Sequence, residues 1–434
     1  MPSILFVSNH CFIDYASGAA LAARDLFIAL TKRGWSTRVL SGRMLDSPTP
    51  GIDKLVERYQ PGVQTRSVET AAGSYLLHDL VDQGVSIRIY QPPKTSTQIP
   101  LEEGYPFLQL LDEELTQRRP DVILSFGGGW LERGVLAVAK RHGIPVVFWL
   151  RNTEYKRPDL FENVAGAIVP SNFSAEYFKK TLSLNFCKVI PSLVLPERVL
   201  CKQREPRFVT YVSPTPAKGV FYFARIASEL GRLRPDIPIL IAVGRGQLKW
   251  FEQTGLNVIG LPNLKIAPPT NNPREFFRLT RVIVAPGLWE ETYLRTAVEG
   301  IFNGIPTLAS RRGGVADTLG QSGFLFDVHP RFTPATRLVP SVAEVRPWVD
   351  TIQRIFDDPA FETEQRNKCL AESQRFAPEK IISAHEDYLA DIAKTHANQA
   401  TAPTRSLHED LVSLQKYFPT PIDLEKFAAI SGTQ

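Results

Sequence analysis

At 434 residues the chain is longer than one hydrophobic core usually serves, so two domains are expected. A formal net charge of +5 with no Lys/Arg-rich block argues against nucleic acid as a partner. No apolar run reaches spanning length, Met1–Val7 lacks a basic leader, and Cys11, Cys187, Cys201 and Cys369 show neither CxxC nor zinc-ligand spacing; a cytoplasmic, soluble protein with reduced thiols is expected.

The first half alternates short β-rich runs with amphipathic stretches, the pattern of βαβ units on a parallel sheet. Ile4–Val7 is the first strand. Ser17-Gly18-Ala19 opens a helix whose Ala20, Ala23, Phe27 and Leu30 share one face, and Gly34 closes it before a strand at Thr37–Leu40. Between about Asp46 and Pro100 no period stands out. Asp121–Leu124 then leads through Phe126-Gly127-Gly128-Gly129-Trp130 into a helix ending at His142-Gly143, and Pro145–Leu150 and Ala167–Val169 read as buried strands. Pro191, Pro196 and Pro206 mark a linker-like break.

Alternation restarts with Phe208–Val212, the turn Lys218-Gly219, a helix to about Gly231, the strand Ile239–Val243 and the turn Gly244-Arg245-Gly246. Val282–Ala285, a helix stopping at Gly304, Thr307–Ser310 and Arg312-Gly313-Gly314 complete a second sheet. Val345, Trp348, Val349, Ile352 and Phe356 form the apolar stripe of a later helix. Pro403, Pro419 and Pro421 mark turns in a tail past His396 that is expected to pack loosely or stay mobile. The predicted domains are 1–195, a linker at 196–207, 208–395 with terminal helices, and a tail at 396–434.

The run Trp289–Gly300 carries the most chemical information. It sets Glu291 and Glu299 across a loop-to-helix junction that follows a buried strand, with Glu299 expected about two turns into the helix. Open α/β sheets bind ligands at the carboxyl ends of their strands, where helix N-termini also attract anions. Two carboxylates there suit the two ends of a polyhydroxylated ligand, because ionised carboxylates only accept hydrogen bonds. A plain alternative is that both pair with Arg295, four residues from each.

Taken with Lys218-Gly219, Gly244, Gly304-Ile305-Pro306 and Arg312-Gly313-Gly314, in that order, this run resembles the family 4 (group 1) retaining glycosyltransferases. Further matches are Ser17-Gly18, Arg119-Pro120-Asp121-Val122 and Gly143-Ile144-Pro145-Val146-Val147, so the resemblance covers Ile4 to about Tyr388. It implies an α/β architecture of the GT-B type: two facing Rossmann-like domains with parallel sheets and an interdomain cleft, the N-terminal one for the acceptor and the C-terminal one for the nucleotide sugar. It also implies transfer of a sugar from a nucleotide sugar, such as a UDP- or GDP-sugar co-substrate, to an acceptor hydroxyl with anomeric retention. No cofactor and no metal ion would take part. A noncatalytic nucleotide-sugar binder or a nucleotide-sugar epimerase on the same fold are the alternatives. A nicotinamide dehydrogenase is disfavoured, since no G-x-G-x-x-G follows the first strand.

By the same resemblance Glu299 takes the ribose hydroxyls, Glu291 the transferred sugar's hydroxyls, and Lys218 the diphosphate, as a flexible ammonium suits a point charge. Thr296 and the N–H groups beside it fit a diphosphate cradle, and Gly18 lets backbone approach the same phosphates. Two departures stand out: Ser213 occupies the place of the family's arginine, and Leu294-Arg295 replaces a glycine and an apolar residue. A cation at a helix N-terminus costs about 0.3–1 kcal/mol, so Arg295 needs a reason. Either Arg295 or Arg245 is expected to supply the missing positive charge, unless Arg295 is simply paired with glutamate.

On the acceptor side Arg151 stands where the family commonly has histidine and suits an anionic group, though it could equally pair with Glu154. The Gly127–Gly129 turn resembles a phosphate nest. His10, Asp14 and Glu132 are further candidates. The acceptor itself, whether glycan, lipid-linked sugar, natural product or protein, is not specified, and peripheral membrane contact is compatible with the pattern.

Overall fold

The strand–helix alternation is present in the computed structural model, which describes residues 1–46, 51–70, 73–93, 99–397, 406–412 and 414–417. They form two compact units. One comprises Met1–Val169, Phe178–Ile190 and the chain from Ile382 onward; the other comprises Pro170–Tyr177 and Pro191–Ile381.

Strands of the first unit are β1 (Ser3–His10), β2 (Ser36–Met44), β3 (Gln64–Thr70), β4 (Gly73–Asp82), β5 (Val85–Gln91), β6 (Val122–Ser125), β7 (Val146–Trp149), β8 (Gly166–Val169) and β9 (Cys187–Val189). Their order is β3-β4-β5-β2-β1-β6-β7-β8-β9. From β5 to β9 neighbours run parallel, while β4 and β3 add on antiparallel. Ile4, Leu5, Phe6 and Val7 are all buried, as expected of a strand covered on both faces. Chain order reverses between β1 and β6, so the ligand-binding switch point of this sheet lies beyond their carboxyl ends.

The stretch without visible period, Asp46 to Pro100, supplies the helix Ile52–Glu57 and the β3–β4–β5 meander. Its strands escaped pattern reading because β3 is a polar, largely exposed edge strand and β4 buries residues irregularly along its length. Residues 382–395, read from sequence with the second domain, pack with the first unit. Trp35 Nε1 donates to Glu386 Oε1 at 2.8 Å, Arg33 Nη1 to Glu386 Oε2 at 2.7 Å, and Trp149 lies edge-on to His385. Farther on, the helix Leu407–Val412 buries Leu411, and the Tyr417 hydroxyl donates to Asp159 at 2.7 Å while its ring lies beneath Arg133. The turn signals at Pro403, Pro419 and Pro421 lie outside the described residues.

In the second unit, β10 (Phe208–Val212), β11 (Ile239–Ala242), β12 (Leu264–Ala267), β13 (Thr280–Ala285), β14 (Thr307–Ser310) and β15 (Phe324–Phe326) form a parallel sheet. Its order β12-β11-β10-β13-β14-β15 is the doubly wound 3-2-1-4-5-6 arrangement. Alternate strand residues feed two cores. Val209, Tyr211, Ile239, Ile241, Val282 and Val284 face the helices Val220–Leu233 and Val342–Asp357, whereas Phe208, Leu240 and Ile283 face Phe276 and Phe277. The apolar stripe of Val345, Trp348, Val349 and Ile352 is buried as its spacing predicts, with Ser341 and Glu344 forming a capping box at the helix start. The proline-marked break holds the short helix Pro196–Val199, and Arg204 donates to the carbonyls of Asn303 and Thr280 at 2.5 and 2.6 Å. Strand order reverses between β10 and β13, and the loops after those two strands carry Lys218 and Glu291.

Candidate active site

The turn after β10 and the acidic loop after β13 are pressed together at the second sheet's switch point. Gly219 adopts φ +76°, and a Cβ there would lie 1.8 Å from the Pro286 carbonyl, so glycine is obligatory at this approach. Leu288 N donates to Ala217 O at 2.9 Å, and Tyr211, buried beneath the turn, donates to Lys218 O at 3.1 Å. This registration delivers the Lys218 ammonium onto Glu291 Oε1 in a direct ion pair. The same ammonium sits 5.3 Å from the centre of the Trp289 ring. Glu291 is only 7% exposed, so a buried carboxylate meets a partly exposed cation at this junction.

Glu299 lies nearer the helix start than the sequence suggests. The helix begins at Arg295, putting Glu299 one turn in rather than two, because residues 292–294 remain non-helical with Leu294 at the N-cap. Arg295 Nε donates to Glu299 Oε1 at 2.9 Å, and its Nη1 donates to Leu193 O at 2.9 Å. These contacts compensate the unfavourable place of a cation at a helix N-terminus. Thr296 is the second residue of that helix and half-buried.

Ser213, in the arginine's expected place, takes a left-handed φ of +59° and donates its N–H to Ala242 O at 2.9 Å. The turn after β11 is packed on it: a Cβ on Gly244 would meet Ser213 Oγ at 2.5 Å, and one on Gly246 would meet Pro214 N at 2.3 Å. Arg245 therefore projects from a turn seated directly on Ser213-Pro214, and it is exposed.

Within the first unit, the candidates cluster at the carboxyl ends of β1 and β6. Gly18 is the first residue of the helix Gly18–Lys32, which Ser17 caps, and an added Cβ would meet nothing within 4 Å. Arg151 donates to Gly18 O at 3.4 Å and stacks over Trp149. Asp14 accepts from the N–H groups of Ala16 and Asp46, both at 2.9 Å, which makes it a loop-shaping residue. His10 packs against Phe126, and burial lowers its pKa, which favours the neutral ring, against a smaller opposing pull from Asp46.

The Gly127–Gly129 turn differs from the expected phosphate nest. Glu132 fills it with its own carboxylate: Oε2 accepts from Gly129 N at 2.9 Å, and a Cβ on Gly127 would strike Glu132 Cδ at 2.5 Å. Burial raises the Glu132 pKa, while backbone N–H donors from Glu132, Gly129 and Asn9 work the other way. Glu132 thus ties the loop after β6 to the end of β1.

Three contributors were not legible as such. Arg312 donates to Leu288 O and Phe332 O, both at 2.9 Å, and so clamps the start of the acidic loop. Gly313 and Gly314 lie against the loop backbone, with Gly314 N donating to Glu291 O at 2.6 Å. Arg312-Gly313-Gly314 was visible as a motif, but only the tertiary contacts give it work. Among the described residues no helix is long and apolar enough to cross a membrane.

The fold is GT-B, with two Rossmann-like units. No protein-family model matches the chain. It is 26% identical over 167 residues to a D-inositol 3-phosphate glycosyltransferase from Arthrobacter sp. (strain FB24), a match covering 37% of this chain and 36% of that one, so about a third of the relative's length. Among solved structures, a glycosyltransferase from Rickettsia africae ESF-5 superposes with TM-score 0.63 at 12% identity, covering 91% of this chain and 99% of that chain. Anabaena HepE in complex with UDP and glucose gives TM-score 0.62 at 16% identity, covering 90% and 100%. The catalytic domain of Arabidopsis thaliana starch synthase IV, bound to ADP and acarbose, gives 0.64 at 12%, covering 91% and 99%. The structural likenesses establish the shared fold, and with the sequence match they bear out the resemblance to the group 1 glycosyltransferases.

Proposed function

We propose that the protein is a retaining glycosyltransferase that moves a hexosyl unit from a nucleotide sugar to an acceptor hydroxyl without a metal ion. The observation that carries this reading is the Lys218–Glu291 pair at the switch point of the second sheet, a cation and an acceptor-only carboxylate built into one fixed junction. Glu299 grips the ribose, Glu291 the transferred sugar, and Lys218 with Arg245 the diphosphate, helped by Thr296 and the helix N–H groups.

The reaction breaks the bond between the anomeric carbon and the diphosphate oxygen while the acceptor oxygen bonds to the same face of that carbon. The acceptor's proton passes to the departing diphosphate oxygen, so no protein nucleophile is required. Charge builds on the diphosphate as it leaves, and fixed cations there stabilise the transition state more than the ground state. Arg151 at the first unit's switch point favours an acceptor bearing a carboxylate or phosphate. Action in the cytoplasm, with the acceptor free or at a membrane surface, belongs to the same reading.

UDP and ADP, held by HepE and starch synthase IV respectively, set the starting probes. A thermal-shift panel of nucleoside diphosphates and nucleotide sugars should show one that raises the melting temperature, because only the native state binds it. The matching nucleotide sugar should then yield an α-linked product from an α-linked donor, with turnover unchanged by EDTA. An inverted product, donor conversion without acceptor, or a strict metal requirement would each refute the corresponding part.

A further inference from the structure

We propose that Arg295 is a positioning residue for Glu299, not a diphosphate ligand, and that it governs how sharply the protein distinguishes a ribose from a deoxyribose. The inference rests on the donor-site reading above and assigns within it the role of a residue that departs from the pattern the chain resembles.

Arg295 spends its guanidinium on two fixed points. Its Nε donates to Glu299 Oε1 and its Nη1 to the main-chain carbonyl of Leu193, each at 2.9 Å. Both members of the ion pair are largely buried, with side chains 15% and 12% exposed. A planar fork held at two edges cannot rotate freely, so the carboxylate it touches is held with it. Leu193 is a firm anchor: it and Val194 are fully buried, and Tyr293, two residues before Arg295, donates its hydroxyl to the neighbouring carbonyl of Ser192 at 3.2 Å. Two side chains from the loop-to-helix junction thus bolt the helix start to one buried segment. Glu299 gains a defined orientation toward its ligand, at the expense of Arg295 as a phosphate contact.

Orientation matters most for a group that must meet two vicinal hydroxyls at once. A misaimed carboxylate keeps its charge but loses the paired geometry, whereas phosphate contacts elsewhere are untouched. Removing Arg295 should therefore weaken ribonucleotides selectively. A cation bound to the diphosphate would instead weaken ribo- and deoxynucleotides alike.

The test uses the full-length protein and calorimetric binding of UDP, ADP and GDP, followed by the 2′- and 3′-deoxy forms of whichever binds. The native protein should favour the ribonucleotide by about tenfold or more, the scale of hydrogen bonds to a charged group. In Arg295→Met and Glu299→Gln that preference should fall to near unity with deoxynucleotide affinity kept. The double variant should be no worse than either single one, since both act through the same carboxylate. Arg295→Lys, retaining charge without the fork, should recover only part of the preference. Equal loss for ribo and deoxy forms, or additive effects in the double variant, would overturn the inference while leaving the donor site intact. Should the native protein bind no nucleoside diphosphate at all, the donor-site reading fails, and the role of Arg295 falls with it. A folded variant is recognised by an unchanged circular-dichroism spectrum; if Arg295→Met does not fold, the same ratios in Arg295→Lys decide.

Discussion

Replacing Gly313 with alanine perturbs the acidic loop without removing any polar side chain. Gly313 has φ +57°, and an added Cβ would lie 2.3 Å from Glu291 O, 2.7 Å from Glu291 N and 2.9 Å from Glu290 C. All three are backbone atoms, so no flexible side chain can move aside. Bringing the nearest contact out to 3.0 Å requires the loop carbonyl to retreat by about 0.7 Å in a close-packed setting. The left-handed conformation costs about 1–2 kcal/mol once a Cβ is present, and overpacking adds roughly 1–3 kcal/mol. A total of about 2–5 kcal/mol in a unit of this size corresponds to a melting-temperature loss of roughly 4–20 °C. The displacement also moves Glu291 from Lys218, and a misplacement near 1 Å reduces turnover by about 100-fold. Scanning calorimetry and the transfer assay together check both figures. If Gly313→Ala melted within a degree of the native protein and turned over normally, the tight packing of Arg312-Gly313-Gly314 on the acidic loop would be wrong.

Gly18→Ala should behave oppositely: with no atom near the added methyl and a negative φ, it should be neutral or stabilising by up to about 1 kcal/mol, read as an unchanged or slightly raised melting temperature; a clear loss would mean the space over Gly18 is filled. Lys218→Gln removes the cation beside Glu291 and should lower turnover by about 100-fold, a fixed charge at the leaving group being worth that much; retention of full activity counts against the mechanism. Trp35→Phe deletes the 2.8 Å bond to Glu386 and should destabilise the first unit by about 1–2 kcal/mol in urea unfolding, an effect absent if the helix Pro378–His396 is held by packing alone. Asp159 is held at about 2, chiefly by the Tyr417 hydroxyl and then by Arg157 and Arg133, against an ordinary value of 3.8. A depressed carboxylate stabilises above its ordinary value, and that contribution is lost as pH falls through the folded one. The helix Leu407–Val412 should thus become accessible to pepsin between about pH 4 and 2, and at a higher pH in Tyr417→Phe. Coincident cleavage curves for the two proteins would show that this hydroxyl does not secure the helix.

The sequence by itself determined what local physics controls. The buried strands Ile4–Val7, Phe208–Val212 and Val282–Ala285, the helix stripe around Trp348, and the punctuation at Gly34 and Gly304 followed from periodicity and from conformations that glycine reaches cheaply. The paired glutamates, Lys218-Gly219 and the trailing glycines marked the candidate site by type and order. Tertiary structure alone decided the partners. It showed that Lys218 meets Glu291, that Arg295 reaches back to Leu193, that Glu132 fills its own glycine turn, and that the chain beyond Ile382 returns to the first unit. It also resolved the meander of β3, β4 and β5, whose edge strand is too polar to announce itself. The division has a physical cause: propensity and burial period act over a few residues, whereas an ion pair spanning dozens of positions exists only once strand order has brought two loops to one end of a sheet.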